Sequence, residues 1–164
     1  LYVPLRPVAR AFGLTVSWNS QSRSVSLTGN PRTYVLPDAD EVYDRDELYW
    51  LSRIISAESR GEPMKGQIAV GNVVENRVES KEFPNSIYGV IFDRKNGTQF
   101  SPVSSGTIYN TPAASSVTAA KICLEGYSVS REALYFFNPK LATSFWISKY
   151  CTYLFTIGTH RFYK

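Results

Sequence analysis

The sequence predicts an α+β fold, and two observations lead there. Apolar residues recur at helical spacing from about residue 45 to residue 126. Past residue 133 the period changes to two, as in strands that bury one face. Helices followed by a small antiparallel sheet are therefore expected, with a short helix-hairpin unit ahead of them.

Residues 1–30 form that first unit. Leu5, Val8 and Phe12 mark a helix over Pro4 to Phe12, closed by Gly13. Leu14 to Trp18 and Arg23 to Leu27 each alternate apolar with polar residues. The turn Asn19-Ser20-Gln21-Ser22 between them makes a hairpin. Such a unit is too short to hold a core alone. Residues 31–44, with Pro31, Pro37 and the acidic run Asp38-Ala39-Asp40-Glu41, read as a linker. The main domain covers residues 45–164.

The main domain opens with Asp44 and Glu47 at capping-box spacing. Leu48, Leu51, Ile54 and Ile55 then share one helix face, and Arg60-Gly61 ends the helix. Pro63 begins a second helix, from about Met64 to Ser80, with Gln67, Val70, Val74 and Val78 on one side. Pro84-Asn85-Ser86 starts a short third helix carrying Ile87, Val90 and Ile91. Residues 94–110 read as an irregular loop. Thr111-Pro112 resembles an N-cap followed by proline at the first helical position, in a helix that ends at Gly126. Ala133–Phe137, Cys151–Ile157 and His160–Tyr163 read as strands, the last two joined as a hairpin through Gly158-Thr159.

Composition narrows the function classes. The 164 residues are 43% apolar, 14% aromatic and 20% charged, as in a globular domain with a proper core. The net charge of +4 is scattered, with no Lys/Arg stripe for nucleic acid, and it suits an anionic polymer. Cys123 and Cys151 form no CxxC or Cys/His cluster, so no zinc site and no cofactor is expected. They read as two buried thiols rather than a disulfide. No apolar stretch approaches the ~20 residues of a membrane span. No signal-peptide pattern is present, but the chain opens at Leu1-Tyr2-Val3-Pro4 without Met, as a piece of a longer protein would.

One residue does not fit its helix. Glu58 lies three, four, seven and ten residues after Ile55, Ile54, Leu51 and Leu48, which returns it to the apolar face each time. A carboxylate placed there either finds a partner, such as Arg60, Arg77 or the backbone amides of the next helix, or has its pKa raised. A carboxyl that stays protonated near neutrality is what protonation of a glycosidic oxygen requires.

The stretches Ser56-Ala57-Glu58-Ser59-Arg60-Gly61-Glu62-Pro63 and Gly66-Gln67-Ile68-Ala69-Val70-Gly71-Asn72-Val73-Val74-Glu75-Asn76-Arg77-Val78 resemble the core signature of SleB-type cell-wall hydrolases, the group that includes spore cortex-lytic enzymes. Phe83 to Ile87, Gln99 to Val103, Ala133 to Pro139 and Ile157 to Tyr163 extend the likeness over about residues 45–164. The resemblance implies a compact lysozyme-like domain. It implies lytic transglycosylase chemistry on the bond from N-acetylmuramic acid to N-acetylglucosamine, with Glu58 as the catalytic acid. Ser59 stands where alanine is usual in the spore enzymes. Residues 1–30 differ from the repeat-type wall-binding domain those enzymes carry. They resemble instead the last part of a copper-amine-oxidase N-terminal-like module, frequent on exported bacterial wall proteins and here without a metal-ligand cluster.

The implied partner is the glycan strand of peptidoglycan, reached by an exported protein in the wall or outside the cell, spore-associated in some relatives. No second acid stands out. Glu62 suits the first turn of the next helix, Glu75 a solvated face, and Asp93 an ion pair with Arg94 or Lys95. That pattern suits a mechanism with one acid. A sugar groove needs aromatic faces and amide or hydroxyl groups. Gln99 and Ser101 are candidates to hold acetamido or hydroxyl groups, or else they form a turn. Tyr135 and Trp146 are candidates to stack on sugars, although Tyr135 and Phe137 share a strand face that a core would also use. Asn138 either contacts substrate or shapes the turn before Pro139. His160, the sole histidine, suits a local hydrogen-bonding role near the site. Other readings are a wall-binding module without catalysis, a hydrolytic muramidase, and an amidase or peptidase, which would need zinc or a Cys/His pair.

Overall fold

A computed structural model describes residues 5–21, 24–29, 33–36, 43–95, 97–142 and 144–164. The chain divides into two units, Leu1–Asp44 and Arg45–Lys164. In the first, α1 (Leu5–Ala11) is followed by Gly13 at φ 69°, which turns the chain into β1 (Thr15–Asn19). A positive φ is cheap only for glycine. β1 pairs antiparallel with β2 (Ser24–Thr28), setting Val16 opposite Leu27 and Trp18 opposite Val25. A third strand, β3 (Thr33–Leu36), pairs with β2 and lies within the stretch expected to be linker. The edge of β2 supplies the ladder partners that a linker lacks. Pro4, Ser22, Arg23 and the acidic run at 38–41 fall outside the described residues.

The second unit is helices first, then sheet. Its helices are α2 (Arg45–Ser59), α3 (Met64–Glu79), α4 (Ile87–Phe92), α5 (Ser101–Ser105) and α6 (Ala114–Leu124). A 3-10 turn, Thr107–Tyr109, follows α5. After β4 (Tyr135–Phe137) comes α7 (Trp146–Tyr150), then β5 (Tyr153–Ile157) and β6 (His160–Tyr163). The sheet is antiparallel with order β4-β6-β5, so the last strand is the central one. Among the described residues no helix is long and apolar enough to cross a membrane.

Several boundaries differ from the sequence expectation for physical reasons. Residues 94–110 are not wholly irregular, because Gly106 at φ 78° separates two short helical turns. Helix α6 starts two residues after Pro112, because the Ala113 N–H is held by the Ser56 hydroxyl at 3.0 Å. Strand β4 starts at Tyr135, since the Ala133 and Leu134 carbonyls are taken by side chains of α3. Cys151 belongs to the end of α7, its N–H bonded to the Ile147 carbonyl. Ser86, in the stretch expected to start α4, caps it, its hydroxyl accepting the Gly89 N–H at 3.1 Å.

Helix α3 is the hub. Nearly all of its residues from Gly66 to Arg77 are buried, so it is enclosed on every side rather than amphipathic. Leu51, Ile54 and Ile55 of α2, Val90 and Ile91 of α4, and Ala119, Ala120 and Cys123 of α6 pack with Val70, Val73 and Val74. Gly71 permits the approach. A Cβ there would meet the Cys123 Sγ at 2.6 Å and the Ile55 Cδ1 at 2.8 Å. Both cysteines are free; Cys123 is buried with its thiol pKa pushed up by that burial, and Cys151 is half-buried.

The same helix also carries polar residues inward, and these hold the segment leading to the sheet. Asn72 donates to the Tyr127 carbonyl at 3.1 Å and accepts the Val129 N–H at 2.8 Å. The Asn76 amide donates to the Ser130 and Ala133 carbonyls at 2.9 and 2.8 Å. Arg77 Nε donates to the Leu134 carbonyl at 2.7 Å. Asn76→Ala strands two of these carbonyls without a partner. It is expected to lower the unfolding free energy by about 2–3 kcal/mol, measured by urea denaturation with the denaturant slope unchanged.

Candidate active site

Glu58 is the penultimate residue of α2 and is half-buried. Among the described residues it has no hydrogen-bond or ion-pair partner. The Arg60 and Arg77 pairings that its position allowed are not made. Burial alone pushes its carboxyl up from 4.5 to about 7. At neutral pH it is therefore close to half protonated, a proton donor and an acceptor in one group.

Glu58 opens onto a groove of about 760 Å³. The groove gathers all seven residues singled out from the sequence: Glu58, Gln99, Ser101, Tyr135, Asn138, Trp146 and His160. They come from α2, the α4–α5 connection, the start of α5, β4 and the turn after it, α7 and β6. Glu58 is the one carboxylate lining it among the described residues. Glu62, Glu75 and Asp93 lie elsewhere. The Glu62 carboxylate accepts from the backbone N–H of Thr159 at 3.1 Å and from its hydroxyl, so it ties the β5–β6 turn rather than only facing its own helix. Glu75 is half-buried and accepts from Asn72 at 3.1 Å, its carboxyl raised by burial, and so is not a freely solvated residue. Asp93 closes α4 and accepts the Lys95 N–H at 2.9 Å, a backbone turn in place of the expected ion pair.

The remaining groove residues differ in how committed they already are. The Asn138 side chain is occupied at both ends, donating to Thr159 Oγ1 at 3.0 Å and accepting the Lys140 N–H at 2.9 Å. Tyr135 meets Trp146 edge-on, with ring centroids 5.5 Å apart. Trp146 stays 49% exposed, on a short helix with no buried residue. His160 is 7% exposed, with its ring edge-on to Phe136. Burial lowers its pKa, with Glu62 opposing, and its Nδ1 has no partner among the described residues.

Sequence reasoning missed Arg77 as part of the groove wall. It is 5% exposed, and its guanidinium lies 4.8, 5.2 and 5.3 Å from the ring centres of Phe83, Phe100 and Tyr135. Burial lowers it to about 10, while Tyr135 and Asp93 act to keep the charge. The available signal was its position three residues after Val74, a cation on the buried side of a helix.

Among known proteins, the cell wall hydrolase family matches residues 61–163, and the copper amine oxidase N-terminal domain matches residues 1–45. The latter stretch contains no His, Cys or Met, the imidazole and sulfur donors that copper favours, so its residues do not fit that metal. A spore cortex-lytic enzyme of Bacillus cereus is 41% identical over 105 residues, 64% of this chain and 39% of that protein. One from Oceanobacillus iheyensis is 36% identical over 82% of this chain and 47% of its own length. The chain thus spans less than half of these relatives. The solved catalytic domain of the germination-specific lytic transglycosylase SleB of Bacillus anthracis superposes with a TM-score of 0.67 at 38% identity. That match covers 79% of this chain and all of that domain. The catalytic domain of Bacillus cereus SleB gives 0.65 at 38% identity, over 79% and 95%. The lysozyme-like α+β architecture is therefore shared.

The raised carboxyl has a consequence for stability that needs no substrate. In the unfolded chain Glu58 ionises near 4.5, and in the fold near 7. The folded form holds the extra proton between those values, so stability falls as pH rises from about 4.5 to about 7 and levels off above. Glu58→Gln removes this dependence. Its stability relative to the parent is expected to improve by up to about 3 kcal/mol between pH 4 and pH 8, read from denaturation midpoints. Parallel pH profiles for the two proteins would contradict a protonatable, buried Glu58.

Proposed function

The chain belongs to the cell wall hydrolase family, and from that premise we propose that it cleaves the glycan backbone of peptidoglycan as a lytic transglycosylase, with Glu58 as its acid and base. The observation that carries this is a single carboxyl, raised to about 7, on the wall of a groove lined by no other acid among the described residues. Glycosidases with two carboxylates place the pair ~5–9.5 Å apart, one on each side of the sugar, and the lining offers no candidate for the second.

The reaction then runs through one group. Protonated Glu58 gives its proton to the oxygen between N-acetylmuramic acid and N-acetylglucosamine, and the C1–O bond breaks. The substrate's own acetamido oxygen stabilises the oxocarbenium-like centre at C1. Glu58, now a carboxylate, takes the proton from the muramic C6 hydroxyl as that oxygen bonds to C1. The product is a 1,6-anhydro sugar, no water is consumed, and Glu58 ends protonated as it began. Tyr135 and Trp146 offer ring faces for the sugars, and Gln99 and Ser101 offer polar groups for their substituents. The substrate lies outside the cytoplasm, so the protein acts after export, in the wall or beyond it.

Muropeptide mass spectrometry after digestion of purified sacculi tests this. The parent is expected to release 1,6-anhydro products, and Glu58→Gln to lose about 10³-fold in rate while still binding sacculi. Products carrying only reducing ends would replace the reading with hydrolysis. Because the donor form is the protonated one, kcat/KM is expected to fall tenfold per pH unit above about 7. A flat profile from pH 6 to 9 would exclude Glu58 as the acid.

A further inference from the structure

We propose that Arg77 binds a free carboxylate on the 3-O-lactyl arm of muramic acid, so that the groove prefers glycan from which the stem peptides have already been removed. The inference rests on reading the groove as a glycan site. It goes on to name a substituent and the class of reaction that must come first.

Arg77 is the one Arg or Lys lining the groove among the described residues, and it is 5% exposed. At about 10 its guanidinium keeps its charge at neutral pH. A cation so far out of water is costly unless an anion or a full set of partners compensates it. The compensation here is partial. Nε donates to the Leu134 carbonyl at 2.7 Å, and Nη1 donates to Gln99 Oε1 at 3.4 Å, a long bond. Three ring faces lie around the guanidinium. No carboxylate among the described residues pairs with it. Asp93 acts only from a distance, and Glu58 is raised by burial alone. Nη2 has no hydrogen-bond partner among the described residues and is not enclosed, so it reaches the groove surface. A buried guanidinium with a nitrogen left over, on a groove wall, fits an incoming carboxylate.

The glycan strand offers few anions. Its rings are neutral, and charge enters through the lactyl arm of muramic acid. Where a stem peptide is attached, the lactyl carboxyl is an amide and carries no charge. The peptide's own carboxylates stand further out on a flexible chain, which would have to be ordered to reach a cation set back in the wall. Where the peptide has been removed, a carboxylate stands a few bonds from the ring. The depth of Arg77 and its lack of a protein anion both favour that short charged arm. The reaction that must supply such a substrate is an amidase reaction. Water cleaves the lactyl–peptide amide, leaving the carboxylate on the sugar and the amine on the peptide.

The test uses a tetrasaccharide of alternating N-acetylglucosamine and N-acetylmuramic acid with free lactyl carboxylates, and the same molecule with those groups as methylamides. Chitotetraose, which lacks the arm, is the third ligand. Affinities are read by calorimetric titration on protein carrying Glu58→Gln to prevent turnover. Salt is held at about 0.5 M to screen the scattered surface charge. The free acid is expected to bind about 10–100-fold more tightly than the methylamide, as one charge-assisted hydrogen bond provides. Adding Arg77→Gln is expected to remove that advantage, while the methylamide and chitotetraose change by less than about threefold. If Arg77→Gln does not fold, the acid against the methylamide decides alone. Equal affinities for the two overturn the proposal, as does an advantage for the acid that survives Arg77→Gln. If chitotetraose and the methylamide bind and the acid gains nothing, this proposal fails and the glycan reading stands. If none of the three binds, both fail.

Discussion

The second unit depends on a set of hydrogen bonds that run from one helix to a segment without secondary structure. Residues 127–134 reach β4 without helix or strand of their own; Ala133 is buried, Ser128, Val129, Ser130 and Leu134 are half-buried, and Tyr127, Arg131 and Glu132 are exposed. Asn72, Asn76 and Arg77 supply the missing partners from α3. Each of these side chains is itself costly to bury alone. The helix and the segment therefore require each other, and the position of β4 relative to the helices comes from that requirement. Through β4 the requirement reaches Tyr135, Phe136 and Asn138, and so one wall of the groove.

Glu58, which also lines the groove, is a case of the contrary choice. The polar residues that α3 turns inward have partners, and Glu58 has none among the described residues. Apolar packing by Leu51, Ile54 and Ile55 fixes the direction in which α2 presents it. A carboxyl raised by burial is expected to make the fold less stable as pH rises toward 7. A group left unsatisfied within an otherwise satisfied interior is where chemistry is to be expected.

Much of this is readable from the chain alone. Helices α2 and α6 declare themselves because their buried positions recur at helical spacing, and α3 through the row Val70, Val74 and Val78 although it is buried on nearly every side. The β5–β6 hairpin does so through alternation around Gly158. Short elements do not: α5 and α7 have five residues each, too few for periodicity, and they are held by neighbours. β3 is hidden because four residues next to prolines carry little pattern of their own, and its existence depends on the edge of β2. Glu58 is legible because a carboxylate on an apolar face contradicts its surroundings. Arg77 is less so, since its partners apart from Phe83 lie some twenty to sixty residues away in the chain. Local spacing cannot announce a partner that only the fold brings near.

The tie between Glu62 and Thr159 bears on how such a sequence can change. These residues are 97 positions apart, and the carboxylate that bonds Thr159 occupies the space where a Cβ at Gly158 would stand. Gly158 also sits at φ 56°. Thr159 in turn takes the Asn138 amide at the rim of the groove. Glu62, Gly158, Thr159 and Asn138 thus make up one coupled block: a substitution at any one of them alters what the other three can be. A redesign of the groove would have to carry all four residues across together.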